Sequence, residues 1–160
     1  MTTGTIATKG TRLYFAASAS EILKVACPTG ITGFGGPATQ IDETCLDSTD
    51  MEFFAGMANP GALSVPVNFI NRSAAHQALV ALKESGEKIS FMVVDSDQAG
   101  APVSVDSDGR LVSPGPTTKE FLGYVADIDY NYDLNEIKRA TLTIQRSGAV
   151  VYDLPAADLA

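Results

Sequence analysis

Apolar and polar residues alternate along much of the chain, and this pattern predicts β-strands. Six strands are predicted: residues 13–17, 21–26, 63–69, 89–94, 120–132 and 139–145. A further small hairpin is predicted from residues 103–105 and 110–112, around the turn at Asp108-Gly109. With these strands and one helix, the chain is predicted to be mainly β.

The last two strands have the clearest pattern, with apolar side chains on one face and polar side chains on the other. In the first of them the predicted apolar face is Leu122, Tyr124, Ala126, Ile128, Tyr130 and Tyr132, and the polar face is Asp127, Asp129, Asn131 and, just beyond, Asp133. In the second, the apolar face is Ala140, Leu142 and Ile144, and the polar face is Arg139, Thr141, Thr143 and Gln145.

One helix is predicted over residues 73–85, where apolar residues recur at helical spacing. Ser73 or Asn71 can cap its start, and Gly86 follows its last turn. His76, the only histidine, is expected to face solvent or to be partly packed. Pro66 predicts that the strand over residues 63–69 lies at a sheet edge, because proline cannot donate to a neighbouring strand.

Residues 29–40 are rich in glycine and are predicted to form a loop. The segment that follows combines acidic residues with large apolar ones: Asp42, Glu43, Leu46, Asp47, Asp50, Glu52, Phe53, Phe54 and Met57. Its acids suit either a bound cation or the rim of a subunit contact. Aromatic residues and methionine favour the contact. The alternative is a short helix that starts at Phe53 and packs on its own subunit.

The chain has 160 residues and a formal net charge of −8, which predicts one domain and argues against tight binding to nucleic-acid phosphates. The first residues do not have the pattern of a signal peptide, and no apolar run is long enough for a transmembrane helix. Cys27 and Cys45 are predicted to be reduced thiols, although a disulfide between them is left open.

No catalytic residue, metal ligand or cofactor is predicted. Asp106-Ser107-Asp108-Gly109 resembles the start of a calcium loop, but the further oxygen ligands are absent, so a hairpin turn is preferred. His76 has no second histidine or cysteine at metal-binding spacing. An enzyme would also need convergent acid, base or nucleophile groups, and we find none in the sequence.

The segment 41–69 resembles the major tail tube protein family of long-tailed, non-contractile bacteriophages. The residues that carry this resemblance are Ile41-Asp42, Thr44, Leu46-Asp47-Ser48, Phe53, Ala55-Gly56, Pro60-Gly61, Ser64, Val67 and Phe69. Residues 10–14 and 120–125, with the Thr-rich strand at 140–144, resemble the first strand and the last hairpin of that family.

The resemblance implies a β-sandwich or barrel-like tail tube fold with one flanking helix, in a single domain of residues 1–160. It further implies a flexible N-terminal arm at 1–11, an inter-ring loop at 42–62 and a C-terminal tail at 153–160. Asp127, Asp129, Asp133 and Arg139 become candidates for the tube lining. Arg139 and Arg146 are expected either to neutralise part of that face or to pair with acids of the adjacent subunit.

The implied function is a virion protein that assembles into stacked hexameric rings and forms the hollow tube through which DNA is delivered. Its partners would be other copies of itself, the tape-measure protein and DNA in the lumen without specific binding, and terminator and baseplate proteins at the ends. No membrane partner is expected, and assembly would occur in the host cytoplasm. The alternatives are a ring-forming baseplate, tail-completion or secretion-tube relative, or a small β-rich ligand-binding module, although the absence of Trp disfavours the module.

Overall fold

The protein is mainly β, as predicted, with ten strands and one helix in the residues that the computed structural model describes: 6–18, 20–96, 104–113 and 117–154. The strands are β1 (Arg12–Ser18), β2 (Glu21–Lys24), β3 (Ala38–Asp42), β4 (Phe53–Ala58), β5 (Ala62–Asn68), β6 (Ile89–Val94), β7 (Ser104–Val105), β8 (Leu111–Val112), β9 (Thr118–Asn131) and β10 (Arg139–Asp153). The helix α1 is Ala74–Ser85. Parts of the predicted N-terminal arm (1–5) and C-terminal tail (155–160) lie outside the described residues.

Six strands form one antiparallel sheet in the order β2-β1-β6-β9-β10-β5. Pro66 lies in the end strand β5, so its predicted edge position is confirmed. The chain that leaves β2, at the opposite edge, runs alongside β5. There Thr29 N donates to Pro66 O at 2.8 Å and Ser64 N donates to Thr32 O at 2.8 Å. This one segment therefore joins both edges of the sheet, which gives the fold its barrel-like closure.

The main core lies between the sheet and α1. Leu79 and Leu82 of the helix pack on a sheet face that includes Phe91 and Phe121, whose rings stack with centroids 5.5 Å apart. Burying a side chain of this size contributes about 1.5–3 kcal/mol. The core therefore stabilises one face of the six-stranded sheet. A different element of the fold packs on the opposite face.

A bulge in β9 changes which residues face the core. Val125 lies opposite Ile144 and Asp127 lies opposite Thr143, so Ala126 has no partner in β10. Before the bulge the core residues are Phe121 and Val125, and after it Ile128 is buried. The predicted apolar face is therefore correct at Ile128 but wrong at Leu122, Tyr124 and Ala126, because one extra residue reverses the alternation.

The boundaries predicted for α1 are confirmed. Ser73 is the residue before the first turn, although its side chain makes no capping hydrogen bond. Gly86 ends the helix in the left-handed conformation, with a φ of 69°, and its N–H donates to Leu82 O. Glycine adopts this conformation without the steric cost that a Cβ atom would bring.

His76 is fully buried, so the expectation of an exposed or partly packed histidine is wrong. Its Nδ1 accepts the Ile70 N–H at 3.0 Å, so Nε2 carries the proton and donates to Ala26 O at 2.9 Å. The ring also stacks on Phe69, with centroids 4.8 Å apart. His76 therefore links α1 by hydrogen bonds to two other parts of the chain, at Ile70 and at Ala26.

The small hairpin β7–β8 covers part of the opposite sheet face and confirms the predicted turn. Asp106 Oδ1 accepts the N–H groups of Asp108 and Arg110, both at 2.9 Å. Val103, also predicted to be in this hairpin, lies outside the described residues. Leu111 packs beneath the hairpin with a second apolar cluster, Tyr14, Ala16, Met92 and Val94.

Buried polar groups dock this hairpin onto the sheet. Glu120 Oε2 accepts from Arg110 Nη1 at 2.9 Å, and Glu120 Oε1 accepts from Ser90 Oγ at 2.6 Å. Ser90 Oγ in turn accepts the Leu111 N–H at 3.1 Å. Because the Glu120 carboxylate is buried, these hydrogen bonds are needed to offset its desolvation.

A helix that crosses a membrane must be both long and apolar. Within the described ranges, no helix has both the length and the apolar character needed to cross a bilayer.

Candidate functional site

Residues 38–58 form a long hairpin, which we call the exposed hairpin. Asp42 lies opposite Phe53 and Ile41 lies opposite Phe54 in the β3–β4 ladder. The prediction that residues up to 40 form a loop is therefore wrong for β3. The alternative in which Phe53 starts a helix is also wrong, because Phe53 begins β4.

The apolar side chains of the exposed hairpin do not pack into the core of their own subunit. Met57 is 87% exposed and Phe54 is 60% exposed. Other large apolar residues on the hairpin are also exposed: Ile41, Leu46, Met51 and Phe53. Such a concentration of exposed large apolar side chains is typical of a region covered by a partner.

The same hairpin is strongly acidic. Its acidic residues are Asp42, Glu43, Asp47, Asp50 and Glu52, and residues 38–58 include no Lys or Arg. At the start of the loop, hydrogen bonds from the Thr44 side chain and then from its backbone N–H lower the pKa of Asp42, while slight desolvation opposes them. The hairpin therefore presents apolar rings beside unneutralised carboxylates.

Arg146 holds the base of the exposed hairpin. Its Nη2 donates to Gly35 O and its Nε donates to Gly61 O at 3.3 Å, so one side chain bridges the segments before and after the hairpin. The guanidinium also lies 5.8 Å from the Phe34 ring centroid. Arg146 is 5% exposed and lies on the core side of β10, so its expected position on the acidic face is wrong.

Two further hydrogen bonds hold the chain in place at the base of the exposed hairpin. Asn59 N donates to Pro37 O at 3.1 Å, and Gln145 Nε2 donates to Pro60 O at 3.2 Å. This role of Arg146 and Gln145 was not predicted from the sequence, because their acceptors here are backbone carbonyls that are distant along the chain.

The candidate lining residues Asp127 and Asp129 lie directly after the bulge in β9. Asp127 is opposite Thr143 and Asp129 is opposite Thr141, whereas Ile128 between them is buried. Both aspartates therefore point away from the core. Asp127 Oδ1 lies 3.8 Å from Lys83 Nζ, a contact between exposed groups that contributes little to stability.

The other two candidates lie at the end of this face. Arg139 is opposite Asn131 and forms an ion pair with Glu136 at 3.1 Å. Asp133 lies in the turn after β9, where its Oδ2 accepts from Asn131 Nδ2 at 2.8 Å. The structure thus brings Asp127, Asp129 and Arg139 together on one ladder and places Asp133 beyond it.

The turn between β9 and β10 carries a second exposed apolar surface, which sequence reasoning missed. We call it the turn patch and define it by Ile70, Arg72, Tyr132, Leu134, Ile137 and Lys138. Leu134 is 89% exposed and Tyr132 is 73% exposed, so the prediction that Tyr132 faces the core is wrong. Apolar residues inside an otherwise polar turn were the signal that could have found it.

Cys27 and Cys45 are both exposed and unpaired. Among the described residues, no group of three or more His, Cys, Asp or Glu side chains is arranged to hold a metal ion.

Comparison with solved structures identifies the fold. The SPP1 tail tube matches with a TM-score of 0.71 and 12% identity, over 93% of this chain and 79% of that chain. The tail of the empty gene transfer agent particle, which has C6 symmetry, matches with a TM-score of 0.65 and 16% identity, over 90% of this chain and 94% of that one. The β sheet, flanking helix and exposed hairpin therefore define a protein of the tail tube fold.

Sequence comparison identifies the family. The family model described as "Phage tail tube, TTP, lambda-like" matches residues 4–155. "Structural protein 3" of Pseudomonas phage PAJU2 is 30% identical over 148 residues, which are 89% of this chain and 90% of that protein. The chain belongs to the lambda-like phage tail tube family and is a structural protein of the virion tail tube. The resemblance seen in the sequence is therefore confirmed.

Proposed function

We propose that this chain assembles into hexameric rings, and that the rings stack into the hollow tube through which phage DNA passes. Family membership supports the tube, and the six-fold symmetry of the gene transfer agent tail supports the ring size. A protein of this kind acts by assembly and shape, and we propose that it needs no catalysis or cofactor.

The observation that carries this proposal is the exposure of Phe53, Phe54 and Met57 on a hairpin with almost no contact to its own core. In water such a surface is a liability, and burial against the next ring removes it. The predicted inter-ring loop of residues 42–62 then corresponds to most of the exposed hairpin and the connection to β5.

The polar face of β9 and β10 is proposed to line the lumen. Asp127 and Asp129 would repel DNA phosphates and keep DNA from binding as it slides. Arg139 is already paired with Glu136, so it neutralises these aspartates less than an unpaired arginine would. Asp133, in the turn, would sit at the rim of the same surface.

The remaining partners follow from this assembly. The tape-measure protein and DNA would occupy the lumen without specific binding, and terminator and baseplate proteins would bind the two ends. A stack of rings does not close on itself, so proteins that end it are required. Assembly would take place in the host cytoplasm, before the tail joins the virion.

The test is electron microscopy of purified protein carrying Phe53→Ser and Phe54→Ser together. We expect the wild type to form hollow tubes of uniform width and the variant to stop at single rings or monomers. Both side chains are exposed, so the variant should unfold at the wild-type temperature.

A matched control is Val112→Ser, which removes an exposed apolar side chain far from the hairpin in sequence. It should form tubes as the wild type does. Full-length tubes from the double variant would refute the role of the hairpin. Wild-type protein that forms only isolated rings would instead favour a baseplate or tail-completion role.

A further inference from the structure

The exposed hairpin and the turn patch lie at opposite ends of the same strand ladder. The β5–β10 pairing runs from Ala62 opposite Gln145, at the hairpin base, to Asn68 opposite Arg139, beside the turn. Its seven residue pairs span about 20 Å. One exposed apolar surface therefore lies at each end of this ladder.

The turn patch differs from the exposed hairpin in charge. The two acids of the same turn already have partners, because Glu136 pairs with Arg139 at 3.1 Å and Asp133 Oδ2 accepts from Asn131 Nδ2 at 2.8 Å. Lys138 Nζ lies 4.6 Å from the Phe69 ring centroid and 4.8 Å from that of Tyr130, and it donates to Asn71 Oδ1 at 2.9 Å. Within the described ranges, no carboxylate lies within ion-pair distance of Lys138 or of the exposed Arg72. The patch thus combines apolar side chains with two cations that lack an acidic partner there.

The turn patch is complementary to the exposed hairpin both in its apolar side chains and in its charge. The hairpin offers aromatic and methionine side chains together with five carboxylates and no basic residue. Apolar surface can pack against apolar surface, while Arg72 and Lys138 attract the acidic loop. Two different surfaces at opposite ends also give a contact that repeats without closing, as a filament requires.

On the basis of the hairpin-mediated stacking proposed above, we propose that the turn patch is the surface that receives the exposed hairpin of a second copy in the adjacent ring. The hairpin of one subunit would pack on Leu134 and Ile137 of the next, with Phe54 and Ile41 on one of its faces and Phe53 on the other. The acidic loop would lie beside Arg72 and Lys138. Each ring would therefore donate hairpins at one end and accept them at the other.

The test uses two variants that are each defective at one end. The hairpin variant carries Phe53→Ser and Phe54→Ser, and the patch variant carries Leu134→Ser and Ile137→Ser. All four side chains are exposed, so both variants should keep wild-type melting temperatures. We expect each variant alone to give single rings.

Mixing the two kinds of ring gives the decisive result. The patch variant keeps an intact hairpin and the hairpin variant keeps an intact patch, so the mixture should give pairs of rings and nothing longer. Negative-stain microscopy and analytical ultracentrifugation measure the fraction of pairs. The Val112→Ser variant is again the matched control and should form full tubes.

Other outcomes distinguish the proposed stacking role of the exposed hairpin from the proposed receiving role of the turn patch. If the patch variant forms full tubes while the hairpin variant does not, the hairpin stacks rings but the turn patch does not receive it. If both variants stop at single rings and the mixture contains no pairs, the turn patch is likewise refuted as the receiver. Full tubes from the hairpin variant would refute the stacking role itself.

Discussion

Arg146 is a single residue that couples the exposed hairpin to the body of the protein. Its guanidinium is almost fully buried and donates to backbone carbonyls of Gly35 and Gly61. A lysine has one compact ammonium group and cannot reproduce the planar fork that reaches both acceptors. The hairpin can thus be apolar and exposed along its length yet fixed at its base.

Replacing Arg146 with Met keeps much of the apolar volume but removes both hydrogen bonds. Because two carbonyls then lose their donors, we expect a loss of about 1–3 kcal/mol in the free energy of unfolding, measured by urea denaturation. Arg146→Lys should lose less. A Met variant as stable as the wild type would mean that the carbonyls are satisfied in another way.

Asp42 gives the hairpin loop a dependence on pH. Its folded-state pKa is lowered, chiefly by the Thr44 side chain, so its stabilising effect is present above the ordinary value of 3.8 and is lost as the pH falls through the lowered value. Carboxyl NMR titration should give Asp42 a midpoint below 3.8, and Thr44→Ala should raise it. An unchanged midpoint in Thr44→Ala would contradict the assigned cause.

At the scale of elements, the sequence predicts most strands and the helix because their apolar residues keep a regular spacing. The exceptions have physical causes. The bulge at Ala126 reverses the faces within one strand, and alternation alone does not reveal an unpaired residue. β3 was missed because all its side chains are exposed, so it lacks the alternation that marks a half-buried strand.

The candidate site was predicted less completely than the fold. The acidic and aromatic residues of the exposed hairpin were found because they are adjacent in sequence. The burial of His76 was missed because its acceptor, Ala26 O, is 50 residues away. The turn patch was missed because it joins the β9–β10 turn to Ile70 and Arg72, which precede α1.

The β7–β8 hairpin depends on Glu120 for its position on the sheet. Glu120→Ala leaves Arg110 and Ser90 without their shared acceptor, so we expect a loss of about 2–4 kcal/mol in unfolding free energy. Amide hydrogen exchange at Leu111 should also accelerate. Glu120→Gln, which keeps an acceptor oxygen, should be less damaging; equal effects would assign the loss to charge rather than to hydrogen bonding.

At the scale of the whole molecule, acidic surfaces are divided between the exposed hairpin and the polar face of β9 and β10. In the proposed tube the first group is covered by the next ring and the second faces the lumen. Changing the acids of the exposed hairpin should therefore affect the stacking of rings. Changing the acids on the polar face of β9 and β10 should affect the passage of DNA.

Changing Asp127 and Asp129 to Lys should leave assembly intact but make the lumen attract DNA. Tubes assembled with short DNA duplexes should then protect more DNA from nuclease than wild-type tubes, most strongly at low salt. Glu84→Lys with Glu87→Lys, near the end of α1, adds the same charge elsewhere and serves as the control. Equal protection by both variants would contradict a lumen position for the aspartates.

The aromatic cluster around Lys138 gives the protein an optical property. The chain has no Trp, so its intrinsic fluorescence comes from five tyrosines, and Tyr130 and Tyr132 lie 4.8 and 5.4 Å from the Lys138 ammonium group. Covering the turn patch changes the solvent and charge around both rings. Tyrosine emission should therefore follow polymerisation in real time without an attached dye, and Tyr132→Phe should reduce that signal.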